Sequence, residues 1–148
     1  MITLAVEDDL AAIRSCAEAA YARYVPAIGR RPAPMDIDFA AKIAGGEVHV
    51  VRDGAGALQG FVIFAARPGH MFLESVAVVP GAAGRGIGKS LIRHCEDEAR
   101  RRGLQAVHLY TNERMTENLS IYPHLGYIEV DRREEDGFSR VYFEKRLG

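Results

Sequence analysis

Two periodicities of apolar residues divide this 148-residue chain into elements. Ile2, Leu4 and Val6 stand at every second position, the spacing of a short strand, and Asp8 or Asp9 is placed to cap a helix reaching about Tyr24. Within that helix Ile13, Cys16, Ala20 and Tyr24 recur at three- and four-residue steps, giving one apolar face to pack on a sheet. Pro26 to Pro34 reads as a loop, and Ile37 to Ile43 as a short second helix before Gly45-Gly46. Val48, Val50 and Val51, the Gly54-Ala55-Gly56 turn and Leu58 to Ala66 predict a hairpin. After Arg67-Pro68-Gly69, Met71 to Val79 predicts a fourth strand. Strict alternation puts Phe72, Glu74, Val76 and Val78 on one of its faces and Leu73, Ser75, Ala77 and Val79 on the other.

From Ile87 to Arg102 the apolar positions Ile87, Leu91, Cys95 and Ala99 fall four apart, and Arg100-Arg101-Arg102-Gly103 closes this segment as a helix end. Ala106 to Thr111 predicts a fifth strand and Thr116 to Leu125 a helix stopped by Gly126, shortened or distorted because Pro123 lacks an N–H. Tyr127 to Asp131 and Phe138 to Lys145 complete a hairpin around a mixed-charge turn, Arg132 to Gly137. The order β-α-α-β-β-β-α-β-α-β-β describes one α/β domain over residues 1–148. It holds a single βαβ crossover among mainly antiparallel strands, which differs from a doubly wound nucleotide fold.

Composition narrows the function. With 48% hydrophobic and 26% charged residues the chain is of ordinary globular type. Lys+Arg 19 against Asp+Glu 20 leaves a net charge of -1, without the basic excess of a nucleic-acid binder. No apolar run approaches the roughly 18 residues of a membrane span, and acidic residues follow Met1-Ile2-Thr3-Leu4 where a signal peptide would have its core. Cys16 and Cys95 lie in apolar surroundings and read as small core residues, so a cytoplasmic protein without disulfides is expected. The histidines form no i,i+4 pair and the cysteines no CxxC, so no metal site is expected.

The glycines are uneven. Four of the 15 lie between Gly81 and Gly88, where Val79 to Ser90 leads from a strand into a helix, the geometry of an anion site. A P-loop reading fails at its first glycine, because Ala83 stands there, and a dinucleotide fingerprint fails because Leu91 follows Gly86 and Gly88 at the third step. A tight turn without a ligand would not need glycine at 84, 86 and 88 together. Arg85-Gly86-Ile87-Gly88-Lys89-Ser90-Leu91, following the strand Leu73 to Pro80, resembles the pyrophosphate loop [QR]-x-x-G-x-[GA] of the GNAT superfamily of N-acetyltransferases. Leu119 to Tyr127 resembles the family's Y-x-x-L-G-[FY] segment. Ala83 departs from the Gln or Arg usual at the first loop position.

The resemblance implies a mainly antiparallel twisted sheet whose fourth and fifth strands splay apart, helices on both faces, and acetyl-CoA as co-substrate. It implies pyrophosphate contacts at Gly84, Arg85, Gly86, Ile87, Gly88 and Lys89, and strand-like pairing of the pantetheine arm with Val76, Ala77 and Val78. Val76 or Ala77 would supply the N–H that polarises the thioester carbonyl. Tyr122 matches the family's general-acid tyrosine; its alternative is a core tyrosine. Asn118, one helical turn earlier, is a cofactor contact or a helix-start residue, and Met115 stands where the family commonly has asparagine. Glu74 is the candidate base that removes a proton from the amine, against the alternative of an exposed or salt-bridged strand residue. Tyr21, Tyr24, Met35, Asp36 and Asp38 are available on the acceptor side. The expected activity is direct acetyl transfer to a primary amine of a small molecule or peptide, with a homodimer left open. The alternative is a CoA-binding or interaction module without turnover.

Overall fold

The computed structural model describes residues 1–148. Seven strands, β1 (Ile2–Leu4), β2 (Val48–Arg52), β3 (Leu58–Arg67), β4 (His70–Val78), β5 (Ala106–Asn112), β6 (Ile128–Glu135) and β7 (Phe138–Arg146), form one sheet in the order β1-β2-β3-β4-β5-β7-β6. Every pairing is antiparallel except β4 with β5. Helices α1 (Leu10–Tyr21), α2 (Tyr24–Ile28) and α3 (Phe39–Ala44) serve one core. There Ile13, Cys16, Tyr21 and Phe39 meet Val48, Val50, Phe61 and Ile63. Helices α4 (Ile87–Arg101) and α5 (Thr116–His124) serve the other, where Leu91, Ile92, Cys95 and Tyr122 meet Val62, Phe64, Val107 and Phe143. Both cysteines are buried, as their surroundings indicate. No helix is long and apolar enough to cross a membrane.

Three local expectations change. The first helix breaks after Tyr21 and restarts as α2, so the stretch expected to be a loop contributes a helical turn. Pro26 is tolerated there because it occupies the first turn, where an N–H has no intrahelical partner. Asp9 does not cap α1; its carboxylate takes the Val6 N–H at 2.9 Å and pairs with Arg52. The terminal hairpin is longer than its charges suggest, because β6 runs on to Glu135 and only Asp136-Gly137 turns. Both turn residues have positive φ, 54° and 78°, the conformation of a two-residue hairpin turn that Asp-Gly favours.

The change that matters most for the site lies in β4. Ile63 pairs with Ser75 but Phe64 pairs with Leu73, so Glu74 is an extra residue, a β-bulge. Alternation is broken there. Leu73 belongs to the α4-side core and Ala77 to the α1-side core, while Val76 and Val78 pack on the α4 side. Glu74 therefore does not share the face of Val76. It turns toward α3, where Lys42 Nζ lies 2.9 Å from its carboxylate.

The last turn of α5 is set by Pro123 and Gly126. Helix α5 ends one residue after Pro123, and its last bonds tighten to Leu125 N–H on Tyr122 C=O (3.0 Å) and Gly126 N–H on Pro123 C=O (3.1 Å). Tyr127 N–H closes on Tyr122 C=O at 3.0 Å, completing a Schellman cap with Gly126 left-handed at φ 95°. The rings of Tyr122 and Tyr127 meet edge to face at 5.5 Å, the apolar contact that such caps carry.

Helix α4 approaches β3 and β4 closely over Gly60. A Cβ on Gly60 would stand 2.7 Å from the Ala77 carbonyl oxygen and 3.2 Å from Leu91 Cδ1. Gly60→Ala is expected to cost about 1–3 kcal/mol, as overpacking does. Denaturant unfolding should show the lower midpoint.

Candidate functional site

Strands β4 and β5 pair only at His70–Ala106, Met71–Val107 and Phe72–His108. Beyond Phe72 the bulge bends β4 away, and a cleft opens between the strands. Its lining comes from both sides of the sheet. Tyr122 and Asn118 of α5 line it together with Tyr21 of α1, the segment Pro32-Ala33-Pro34, and Phe138 and Arg140 of β7. Tyr122 belongs to the α4-side core, whereas Tyr21 and Met115 belong to the α1-side core, so one cavity touches both faces.

The β4 edge offers backbone groups to this cleft. Val79 N–H bonds Gln59 C=O at 2.9 Å, so by alternation the polar groups of Ala77 also turn toward β3. Those of Val76 and Val78 turn to the open side. The Val76 carbonyl is already satisfied by the Tyr21 hydroxyl, which donates to it at 2.8 Å and lies 3.2 Å from Ser75 Oγ. The Val76 N–H and the polar groups of Val78 thus stand outside the β3 ladder on this edge, whereas Ala77, expected beside Val76, is committed to that ladder.

Past the cleft lining, β4 runs on into the glycine loop, no residue of which lines the cleft. Gly84 and Gly86 adopt φ of 81° and 76°, which glycine enters without strain, and Gly86 is the residue from which α4 starts. Arg85 and Lys89 are exposed beside them. The first N–H groups of the 15-residue α4 have no intrahelical acceptor. A Cβ on Gly88 would make only ordinary contact with Val78, 3.6 Å away, so the chain's own packing does not require glycine there.

Tyr122 is 9% exposed, and its ring is 5.9 Å from that of Phe143. Burial pushes its hydroxyl well above the ordinary tyrosine range, with Tyr21 and Cys95 adding to the shift. It therefore stays protonated at neutral pH. Asn118 donates its amide to Thr111 Oγ1 at 3.1 Å, which fixes the side chain against β5. Met115 is buried and accepts weak bonds at its sulfur from Thr111 and Asn118, 3.6 and 3.7 Å away. Glu74 is the one carboxylate lining the cleft. Of the five residues expected on the acceptor side, Tyr21 alone reaches it. Tyr24 and Met35 are core, Asp36 pairs with Arg31 at 3.0 Å, and Asp38 caps α3 through Ala41 N–H.

The sequence model of the acetyltransferase (GNAT) family matches residues 12–127. The chain belongs to that family. It is an acetyltransferase. A search of curated protein sequences returns no match. Among solved structures, the PaiA N-acetyltransferase of Thermoplasma acidophilum in complex with coenzyme A is 17% identical, with 99% of this chain and 98% of that chain aligned at a TM-score of 0.82. The ribosomal-protein-S18-alanine N-acetyltransferase of Escherichia coli is 21% identical over 99% and 93% of the two chains, with a TM-score of 0.79. YncA of Salmonella typhimurium, solved with acetyl-CoA, is 19% identical over 100% and 94%, at 0.74. These likenesses show that the acetyltransferase shares their fold, including the parallel β4–β5 pair.

Sequence reasoning missed Ser75, Tyr110, Thr111, Phe138, Arg140 and the Pro32-Ala33-Pro34 segment as cleft residues. The Asp-Gly turn was the readable signal for two of them. It fixes the register of β7, in which Phe138 and Arg140 share a face.

Tyr21 gives a test of the interior of the cleft. Its hydroxyl is pushed up to about 12 by burial, against 10 for the free side chain. Between those values the folded chain keeps a proton that the unfolded chain has released, so stability falls as pH rises through that window. Tyr21→Phe should cost about 1 kcal/mol at neutral pH. Its deficit against the wild type should shrink between pH 10 and 12 when both are unfolded in urea.

Proposed function

We propose that this acetyltransferase passes the acetyl group directly to a primary amine that enters from the α1 side, while acetyl-CoA lies on the α4 side. What carries the reading is the cleft lined from both sides of the sheet, since a donor on one face and an acceptor on the other can meet only where β4 and β5 are unpaired. The N–H groups of Gly84 to Lys89 and the start of α4 hold the pyrophosphate. Free space around Gly84 and Gly86, and a glycine at 88 that the chain's packing does not require, support it. Arg85 and Lys89 meet outer phosphate oxygens, and Ile87 contributes through its backbone. Val76 and Val78 pair with the pantetheine arm, and Ala77 contributes by holding β4 in register. Asn118 keeps its amide oxygen for the same arm.

At neutral pH a lysine-like amine, with pKa near 10.4, must lose a proton before attack. Glu74 accepts it, directly or through water, with Lys42 holding one carboxylate oxygen. The nitrogen–carbon bond forms while the Val76 N–H stabilises the carbonyl oxygen. The carbon–sulfur bond then breaks, and the Tyr122 hydroxyl donates to the departing sulfur. A buried hydroxyl that stays protonated suits this role, because it remains a donor across the neutral range.

Tyr122→Phe is expected to lower kcat on the order of 10²-fold, as loss of a general acid does. Its calorimetric affinity for acetyl-CoA should be unchanged. Gly86→Glu should abolish acetyl-CoA binding, because a side chain at positive φ is strained and its charge opposes the phosphates. Equal acetyl-CoA affinity in Gly86→Glu and the wild type would sink the loop assignment.

A further inference from the structure

We propose that the acceptor is an amine carrying its own carboxylate, which Arg140 receives on the β7 wall of the cleft. The inference rests on the amine-acetyltransferase reading above. Arg140 is the one cation lining the cleft, as Glu74 is the one acid. It stands on β7 opposite Asn112 of β5, with its side chain 12% exposed. Its guanidinium lies 4.5 Å from the Tyr110 ring centroid and 5.7 Å from that of Phe138. Such stacking fixes the plane of the fork.

A guanidinium this buried needs hydrogen bonds, and the chain does not complete them. Glu135 and Asp136 approach at 3.7 and 3.6 Å, beyond hydrogen-bond length, and both approach the same nitrogen, Nη1. Glu135 already accepts from the Tyr142 hydroxyl, and the Asp136 side chain is 82% exposed. The Nε–Nη2 edge has no protein partner in these pairs. It is not sealed off, because the fully buried side-chain nitrogens without partners belong to His49 and His94. That open edge matches a carboxylate bidentately.

The opposite wall completes the match. Glu74 lies on β4, across the splayed gap from β7, on the facing wall of the same cleft. An ammonium drawn to Glu74 and a carboxylate drawn to Arg140 would place one small zwitterion across the cleft. A diamine would instead bring a second cation against Arg140. Arg30 stacks on Phe138 at 3.6 Å and donates to the Asp136 carbonyl, tying the segment before Pro32 to the start of the strand that carries Arg140.

The test measures acetyl-CoA-dependent acetylation of ω-amino carboxylic acids of about two to six carbons, each beside its primary amide. Wild type, Arg140→Gln and Arg140→Lys are compared, with melting temperature and calorimetric acetyl-CoA affinity followed in all three. At least one acid should exceed its amide by about 10- to 100-fold in kcat/KM, through KM, the range of a charge-assisted bond. Arg140→Gln should erase that preference, while Arg140→Lys should restore part of it. Acids and amides used equally by the wild type would overturn the carboxylate inference and leave amine acetylation standing. A preference that survives in folded Arg140→Gln would overturn the assignment to Arg140. If Arg140→Gln shows no melting transition, the wild-type ratio and Arg140→Lys decide. A protein that binds acetyl-CoA but acetylates neither series would overturn the amine reading and this inference together.

Discussion

Backbone N–H and C=O groups in the middle of a sheet must find partners, and the structure departs from that demand where β4 and β5 separate. After Phe72 the strand leaves β5, and the groups of Val76 and Val78 face a cleft instead of a neighbouring strand. The Glu74 bulge causes the departure by adding a residue opposite Ile63 and bending β4. Tyr21 relieves part of the deficit by reaching from α1 to the Val76 carbonyl. The remaining groups form a strand edge that a ligand's amides can complete, the same interaction by which peptides extend sheets.

Packing on both faces keeps that edge open. On the α4 side Tyr122, Tyr127 and Phe143 form an aromatic wedge, whose backbone is locked by the cap at Gly126. Tyr127 in turn donates to Glu96 at 2.8 Å, and Glu96, 4% exposed, takes Lys145 at 3.0 Å. A buried carboxylate left alone would be costly, so this triad is satisfied as a unit. The side chain that lines the cleft is thus tied through its neighbour to α4 and β7. On the other face Tyr21 and Met115 close against the α1 core. A cleft held between two packed cores should change little in shape, which suits chemistry that depends on positioning.

A net charge of -1 conceals a local arrangement of charge. Most surface arginines are matched at short range, as in the Asp97 and Glu98 pairs of Arg100, Arg101 and Arg102. That arginine triplet ends α4 and compensates its dipole. Within the cleft the charges are sparse, and their separation across two walls, more than their number, gives it polarity.

Strands, helices and the glycine loop were legible because each has a local cause: alternation, four-residue spacing, and a backbone that only glycine accepts. The Tyr122 to Tyr127 segment was legible for the same reason, since the proline and the glycine that shape its cap stand three positions apart in the chain. The break before α2 was not, and neither was the face that Glu74 presents. A bulge exists only relative to a partner strand, and no pattern within Met71 to Val79 records that Ile63 will meet Ser75. Arg140 is the extreme case. In sequence it is one more charge on an alternating strand; folded, it stands between Tyr110 and Phe138 because β7 inserts between β5 and β6. The sequence by itself determined most of the elements, the family and the glycine loop, all of which depend on contacts between near neighbours. Tertiary structure alone decided which groups share the cleft, because register and strand order bring together residues that the chain keeps far apart.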